Sequence, residues 1–107
     1  MSVFKEYEKL KDSLNKSNSF KGIISEIPWQ HLVASIKDYP HAEYFDLEDG
    51  FQTIIYSKEK ILSKTKLLVT GTVIEVKGRS KRPTDEEEKN YSEYHILVNE
   101  YRVLTEN

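Results

Sequence analysis

The hydrophobic residues change their spacing once along the chain, and this change restricts the fold more than any other feature of the sequence. In residues 2–17 apolar positions recur every three or four residues, with lysine and glutamate between them, which is the pattern of an amphipathic helix. From residue 20 onward, apolar and polar residues alternate in short runs separated by turn-forming residues. This second pattern is typical of β-strands. The sequence therefore predicts a mainly β domain with one helix at its N-terminus.

Five segments have the character of strands. The alternation, together with the β-branched and aromatic residues that strands favour, gives an expected set of strands over residues 20–27, 42–47, 51–57, 66–76 and 93–104. The step Asp49-Gly50 predicts a tight hairpin between the second and third segments, because both residue types tolerate a positive φ. Gly71 lies inside the fourth segment and predicts a bend or a bulge. The polar stretch that follows the fourth segment, residues 77–92, predicts a long loop.

The chain has the length of one domain. Its 107 residues contain no linker and no internal repeat, so we predict a single domain over residues 1–107, with a helical segment at 1–18 and a barrel over 19–107. The absence of cysteine excludes disulfides, cysteine-ligated zinc and thiol nucleophiles. No apolar run approaches the roughly 18 residues that cross a bilayer, and the N-terminus is too charged for a signal peptide. We expect a cytoplasmic protein without membrane association.

Four stretches of the sequence carry a resemblance to a known family. They are FKGIISEIPW, AEYFDLEDGFQTIIYS, LLVTGTVIEVKGRSKRP and YHILVNEYRVL. They resemble the five strands of OB-fold (oligonucleotide/oligosaccharide-binding) domains. The hairpin FDLEDG and the element VTGTV are similar to those of nucleic-acid-binding members, such as the transfer-RNA anticodon-binding and replication protein A types. The resemblance spans residues 20–104 and implies a small five-stranded Greek-key barrel with the N-terminal helix as an added cap.

Single-strand binding by such a barrel needs exposed aromatic rings on which bases stack. Strand alternation places Tyr44 on the outer face of the second strand and Tyr56 on the outer face of the third. The two tyrosines would then share one face. Trp29, just past the first strand, extends this platform in the nucleic-acid-binding interpretation. The alternative for Trp29 is packing in the core against the N-terminal helix.

The predicted loop between the fourth and fifth strands begins with four cations within six residues: Lys77, Arg79, Lys81 and Arg82. In the OB fold this loop commonly contacts the ligand, and four cations can contact several phosphates. Four acidic residues follow at 85–88. The alternative is therefore a solvated loop in which opposite charges pair with each other, at little gain in stability.

The charge of the whole chain is distributed in bands. The net charge is +6 over residues 57–82 and −5 over each of the stretches 38–56 and 83–107. A pI near 5.9 argues against a surface coated by nucleic acid, but the basic band permits a local site. We therefore predict a non-catalytic protein that binds single-stranded DNA or RNA. The alternative is a protein–protein interaction module that docks through the barrel face or the charged loop, because the acidic bands repel phosphates.

The sequence contains no pattern that indicates an enzyme. His31, His41 and His95 lack the spacing of a metal site. The carboxylates around the Asp-Gly step lack the remainder of a calcium-binding loop. The four glycines are too dispersed to form a phosphate-binding loop. We expect no catalytic residue, no metal and no cofactor.

Overall fold

The described part of the chain contains one short helix and five strands. The computed structural model describes residues 5–27, 33–80 and 89–104. Its elements are α1 (Lys5–Asp12), β1 (Ser17–Ile24), β2 (His41–Leu47), β3 (Gln52–Ser57), β4 (Leu67–Ser80) and β5 (Lys89–Val103). No helix in this part of the chain is long and apolar enough to cross a membrane. The mainly β class that the alternating pattern predicts is confirmed.

The five strands close into a barrel. Their order around it is β1-β2-β3-β5-β4, and β4 pairs with β1 to complete the circuit. Neighbouring strands are antiparallel except for β3 and β5, which run parallel through Ile55↔Ile96 and Tyr56↔Leu97. The predicted architecture, a closed five-stranded barrel with one N-terminal helix, is confirmed. It is compatible with an OB-like fold.

The barrel interior holds the hydrophobic core, and α1 contributes to it. The buried members of the core are Leu10, Phe20, Phe45, Leu47, Ile55, Ile61, Leu67, Val69, Val73, Ile96 and Val98. Leu10 is the member that comes from the helix. The backbone N–H of Tyr7 donates to Asp49 Oδ2 at 3.0 Å, and the Tyr7 ring stacks on Phe51 with ring centroids 3.9 Å apart. The helix therefore covers the end of the barrel at which the β2–β3 turn lies, as expected.

The helix ends earlier than predicted, and the first strand begins earlier. α1 ends at Asp12 rather than near residue 17, and β1 begins at Ser17 rather than at residue 20. The backbone N–H of Asn15 donates to Val73 O at 2.8 Å, and the N–H of Val73 donates to Lys16 O at 3.1 Å. Residues 15 and 16 thus pair with β4 and cannot continue the helix. This long-range pairing is the physical reason for the difference.

The strands β4 and β5 stay paired where a loop is predicted. Their register runs from Leu67↔Val103 to Ser80↔Lys89, so the prediction of a loop that starts at residue 77 is wrong. Backbone pairing with β5 holds residues 77–80 in strand conformation although their sequence contains no apolar residue. Residues 75–80 and 89–94 pair with each other and with no further strand in the described part of the chain. We call this two-stranded stretch the ribbon.

Two expectations about glycine are confirmed. Gly50 has a φ of 92° in the turn between β2 and β3, a conformation that side chains with a Cβ rarely adopt. The register between β4 and β5 shifts between Thr70 and Gly71, so the bulge lies where Gly71 predicts it. The bulge lets β4 and β5 bend as they pass from the barrel wall toward the ribbon.

Candidate nucleic-acid interface

Strand β3 is buried on both of its faces. Ile55 belongs to the barrel core, and alternation places Gln52, Ile54 and Tyr56 on the opposite, outer face. All six residues of the strand are buried, and Ile54 and Tyr56 are each only 1% exposed. The outer face of β3 is therefore covered. The prediction that Tyr56 presents an exposed ring for base stacking is wrong.

The described residues of the connection between β1 and β2, residues 25–27 and 33–40, cover this outer face. Gln52 Nε2 donates to Ser25 Oγ and to the carbonyl oxygen of Ile27, both at 3.0 Å. Further along the connection, the backbone N–H of Ala34 donates to the Tyr56 hydroxyl oxygen at 3.0 Å. The connection is thus anchored to β3 at two separate places. Trp29, the third predicted aromatic, lies outside the described residues.

A chain of hydrogen bonds lies beneath the β1–β2 connection. The Tyr56 hydroxyl oxygen is 2.8 Å from His95 Nδ1, and His95 Nε2 is 3.0 Å from Glu93 Oε1. Because the Glu93 carboxylate can only accept, a neutral His95 carries its proton on Nε2 and donates a hydrogen bond to Glu93 Oε1. Nδ1 is then an acceptor, and the Tyr56 hydroxyl donates to it while accepting from the N–H of Ala34. His95 is 0% exposed, so these bonds satisfy polar groups that burial would otherwise penalise.

The buried Tyr56 hydroxyl makes the stability of the protein decrease at alkaline pH. Burial raises the pKa of Tyr56 above its ordinary value of 10.0; the hydrogen bond from Ala34 lowers it and the charge of Glu93 raises it further. A raised folded-state pKa means that the stabilising contribution is complete below the unfolded-state pKa and is lost as the pH rises through the folded-state pKa.

We expect the free energy of unfolding to fall more steeply from about pH 9 to about pH 11 in the wild type than in Tyr56→Phe. The variant has no hydroxyl at this position to ionise, whereas the other six tyrosines are the same in both proteins. Urea denaturation at a series of pH values measures the difference. Parallel stability curves for the two proteins would show that the Tyr56 hydroxyl is not desolvated as described.

Tyr44 keeps its predicted side of the sheet but lies on a partly covered face. It pairs with Ile54 across β2 and β3, and its side chain is half-buried. The backbone N–H of Ser25 donates to the carbonyl oxygen of Tyr44 at 2.7 Å, so the β1–β2 connection begins beside it. The structure therefore does not bring Tyr44 and Tyr56 together on an open stacking platform.

Two of the four predicted cations lie in the ribbon. Lys77 and Arg79 belong to β4, opposite Ser92 and Asn90 of β5, whereas Lys81 and Arg82 lie outside the described residues. The side chain of Lys77 is exposed, and its Nζ lies 3.7 Å from Glu75 Oε1. An exposed ion pair of this length contributes little to stability, so Lys77 can exchange it for an external anion at small cost.

A cavity of about 260 Å³ lies where the ribbon leaves the barrel. Its walls come from α1, the start of β3 and the nearest part of β5: Tyr7, Phe51, Gln52, Thr53, Ser92, Glu93 and Tyr94. Three of these side chains are aromatic. The sequence pattern assigns Tyr7 only to the apolar stripe of the helix, and Phe51 and Tyr94 only to strand segments. Their convergence depends on how α1 packs, which local periodicity does not specify.

The histidines do not converge on a metal site in the described residues. His41 begins β2, His95 is buried on β5 in its bond to Tyr56, and His31 lies outside the described residues. In the part of the chain with described positions, no group of three or more histidine, aspartate or glutamate side chains has the arrangement of a metal site.

Comparisons with known proteins assign no family to this chain, so its fold is the basis for classifying it. No protein-family model, no curated protein and no solved structure matches this chain. The class that the structure defines is a small closed β-barrel, compatible with an OB-like fold. Any function has to be inferred from the geometry of its surfaces.

Proposed function

We propose that this protein binds single-stranded DNA or RNA, without catalysis. Binding uses the ribbon and the aromatic cavity that lies where the ribbon leaves the barrel. The observation that carries the proposal is the register of Lys77. This residue pairs with Ser92, and Ser92 lines the cavity together with the three aromatic side chains. A cation on β4 therefore lies opposite the β5 residue that lines the cavity beside the aromatic rings. Cations and aromatic rings are the two components that a groove for a flexible single strand requires.

In this proposal the ribbon contacts the sugar–phosphate backbone and the cavity receives a base. Lys77 and Arg79 begin a cationic run that the sequence continues with Lys81 and Arg82. Each phosphate that these cations neutralise releases counterions, so binding weakens as the salt concentration rises. A base held against aromatic side chains contributes about 1–3 kcal/mol. The covered outer face of β3 takes no part in binding.

Replacing the four cations of this run by alanine is expected to weaken binding and to flatten its dependence on salt. For a single strand, each phosphate contact contributes about 0.7 to the slope of log K against log salt. The loss of four contacts therefore lowers the slope by up to about 3. Fluorescence anisotropy of labelled single-stranded DNA and RNA over a salt series measures the slope, with duplex DNA as the comparison.

A matched control separates the effect of the cationic run on binding from the effect of the protein's total charge. The control variant replaces four exposed lysines outside the ribbon by alanine: Lys5, Lys16, Lys21 and Lys64. It loses as much positive charge as the variant without the cationic run, and it is expected to keep a salt slope close to that of the parent. Equal binding by both variants across the salt series would exclude the ribbon as the site. No binding by the parent even at low salt would exclude nucleic acid as the ligand.

Mixed charges on the surface favour a second candidate, a protein–protein interaction module. Besides the pair of Lys77 with Glu75, Lys60 Nζ donates to Glu43 Oε1 at 3.1 Å on an exposed part of the barrel. A partner protein can use both signs of charge, whereas a nucleic acid is repelled by the carboxylates. Recovery of one protein in stoichiometric amount, in a pull-down that survives nuclease treatment, would favour this candidate over nucleic-acid binding.

A further inference from the structure

Strand β5 has an open edge over its last residues. On one side β5 pairs with β4 as far as Val103. On the other side its register with β3 contains only Ile96 and Leu97, and no other strand in the described part of the chain pairs with β5 there. We call residues 99–103 the β5 edge. A strand edge carries N–H and C=O groups that can pair with the edge of another chain.

The β5 edge is exposed and partly apolar. All five residues are exposed, and Tyr101 and Val103 are exposed by 44% and 46%. These two residues pair with Val69 and Leu67 of β4, which are buried in the core. Tyr101 and Val103 therefore continue the apolar side of the barrel wall to a place where no other described element covers it.

A groove runs along the β5 edge. Its volume is about 380 Å³, and it lies between the end of β3 with the residues that follow and the later part of β5. The residues that line it are Ser57, Lys58, Glu59, Val98, Asn99, Glu100 and Tyr101. The groove gives an additional strand access to the backbone of β5.

The sequence of the β5 edge is complementary to itself. When two copies pair antiparallel about Tyr101, Glu100 of each copy lies opposite Arg102 of the other. On the opposite face, Tyr101 meets Tyr101. Neither Glu100 nor Arg102 forms an ion pair with any described residue. Opposite charges placed directly across two antiparallel strands stabilise the pairing.

We propose that the β5 edge is a homodimer interface, in which two copies of this chain pair antiparallel about a twofold axis at Tyr101. A twofold interface uses the same surface on both copies, which a self-complementary sequence supplies. The pairing joins the two β4–β5 sheets into one continuous sheet and covers part of Tyr101 and Val103. The ribbon lies at the opposite end of β5, so the interface is independent of the proposed nucleic-acid site.

Charge-reversal variants test the pairing directly. In Glu100→Arg, the new arginine of each copy lies opposite Arg102 of the other, so like charges meet at two points of the interface. In Arg102→Glu, the new glutamate lies opposite Glu100, and two carboxylates meet at each of the same points. Each single variant is expected to weaken the dimer by at least about tenfold. The double variant Glu100→Arg/Arg102→Glu restores opposite charges and is expected to dimerise as the wild type does. An equimolar mixture of the two single variants is expected to form a heterodimer.

Sedimentation velocity at micromolar to submillimolar concentrations and low salt measures these equilibria. Glu8→Arg, on the exposed side of α1, is the matched control and is expected to dimerise as the wild type does. Circular dichroism checks that each variant is folded, and the double variant remains informative if one single variant is not. A wild type that stays monomeric overturns the proposal. A dimer that both single variants leave unchanged, or a mixture that fails to associate, also overturns it.

Discussion

Replacing Gly71 by valine is expected to prevent the barrel from closing. A Cβ at this position would lie 2.8 Å from the carbonyl carbon of Leu97, closer still to its oxygen, and 3.0 Å from a methyl carbon of Ile96. The atoms of Leu97 belong to the backbone of the adjacent strand β5, which cannot rotate away as a side chain can. The substitution therefore forces β4 and β5 apart at the bulge, in the middle of their pairing.

The expected loss is large compared with the stability of a small domain. Forcing extra atoms into a packed site costs about 1–3 kcal/mol, and the displaced strand also loses backbone hydrogen bonds of about 1 kcal/mol each. We expect Gly71→Ala to lower the free energy of unfolding by more than about 3 kcal/mol. Gly71→Val is expected to leave the protein unfolded, because a domain of this size has about 5–15 kcal/mol in total.

Gly50→Ala is the matched control for the space around Gly71. A Cβ at Gly50 meets nothing within 4 Å, so the substitution carries only the strain of a φ of +92°, about 1–2 kcal/mol. Urea denaturation followed by circular dichroism compares the two alanine variants. If Gly71→Ala is no less stable than Gly50→Ala, β4 and β5 do not approach as closely at Gly71 as described.

Tyr56→Ala is expected to lower the free energy of unfolding by about 3–5 kcal/mol, the usual cost of truncating a buried aromatic side chain. The variant also removes the hydroxyl that accepts from the backbone N–H of Ala34 and bonds His95 Nδ1. Leaving buried polar groups without these bonds adds to the loss. The β1–β2 connection loses its second anchor to β3 at the same time.

Tyr44→Ala is the control on the neighbouring strand. Tyr44 is half-buried on the same side of the sheet, so its truncation removes less buried area and is expected to cost at least about 2 kcal/mol less than Tyr56→Ala. Urea denaturation of both variants measures the difference. Equal and small losses would mean that the outer face of β3 is open, as an exposed stacking platform requires.

The sequence predicts the direction of each side chain in β3 but not the covering of its outer face. Strand alternation correctly separates Ile55 from Ile54 and Tyr56. The run Ile54-Ile55-Tyr56 is nevertheless continuously apolar, which is the signal of a strand buried on both faces. The residues that cover it, Ser25 and Ala34 among them, come from a connection whose path depends on tertiary contacts. Local pattern does not specify those contacts.

The ribbon and the helix end differ from prediction for a related reason. Residues 77–80 include no apolar residue, so they show no hydrophobic alternation and are kept in a strand by backbone pairing with β5. Asn15 and Lys16 leave the helix because they pair with Val73, more than fifty residues further along the chain. Periodicity reports burial within a segment and carries no information on such distant backbone partners.

A titration of isotopically labelled protein with a single-stranded oligonucleotide, followed by amide chemical shifts, tests the proposed division between a binding ribbon and a closed β3 face most directly. We predict that shifts concentrate in the ribbon, at residues 75–80 and 89–94, and at Tyr7 and Phe51 beside the cavity. The amides of residues 54–56 and Ala34 are expected to stay unchanged. The largest shifts at residues 54–56 and Ala34 would contradict this, because they would mean that the β1–β2 connection moves aside and nucleic acid takes the outer face.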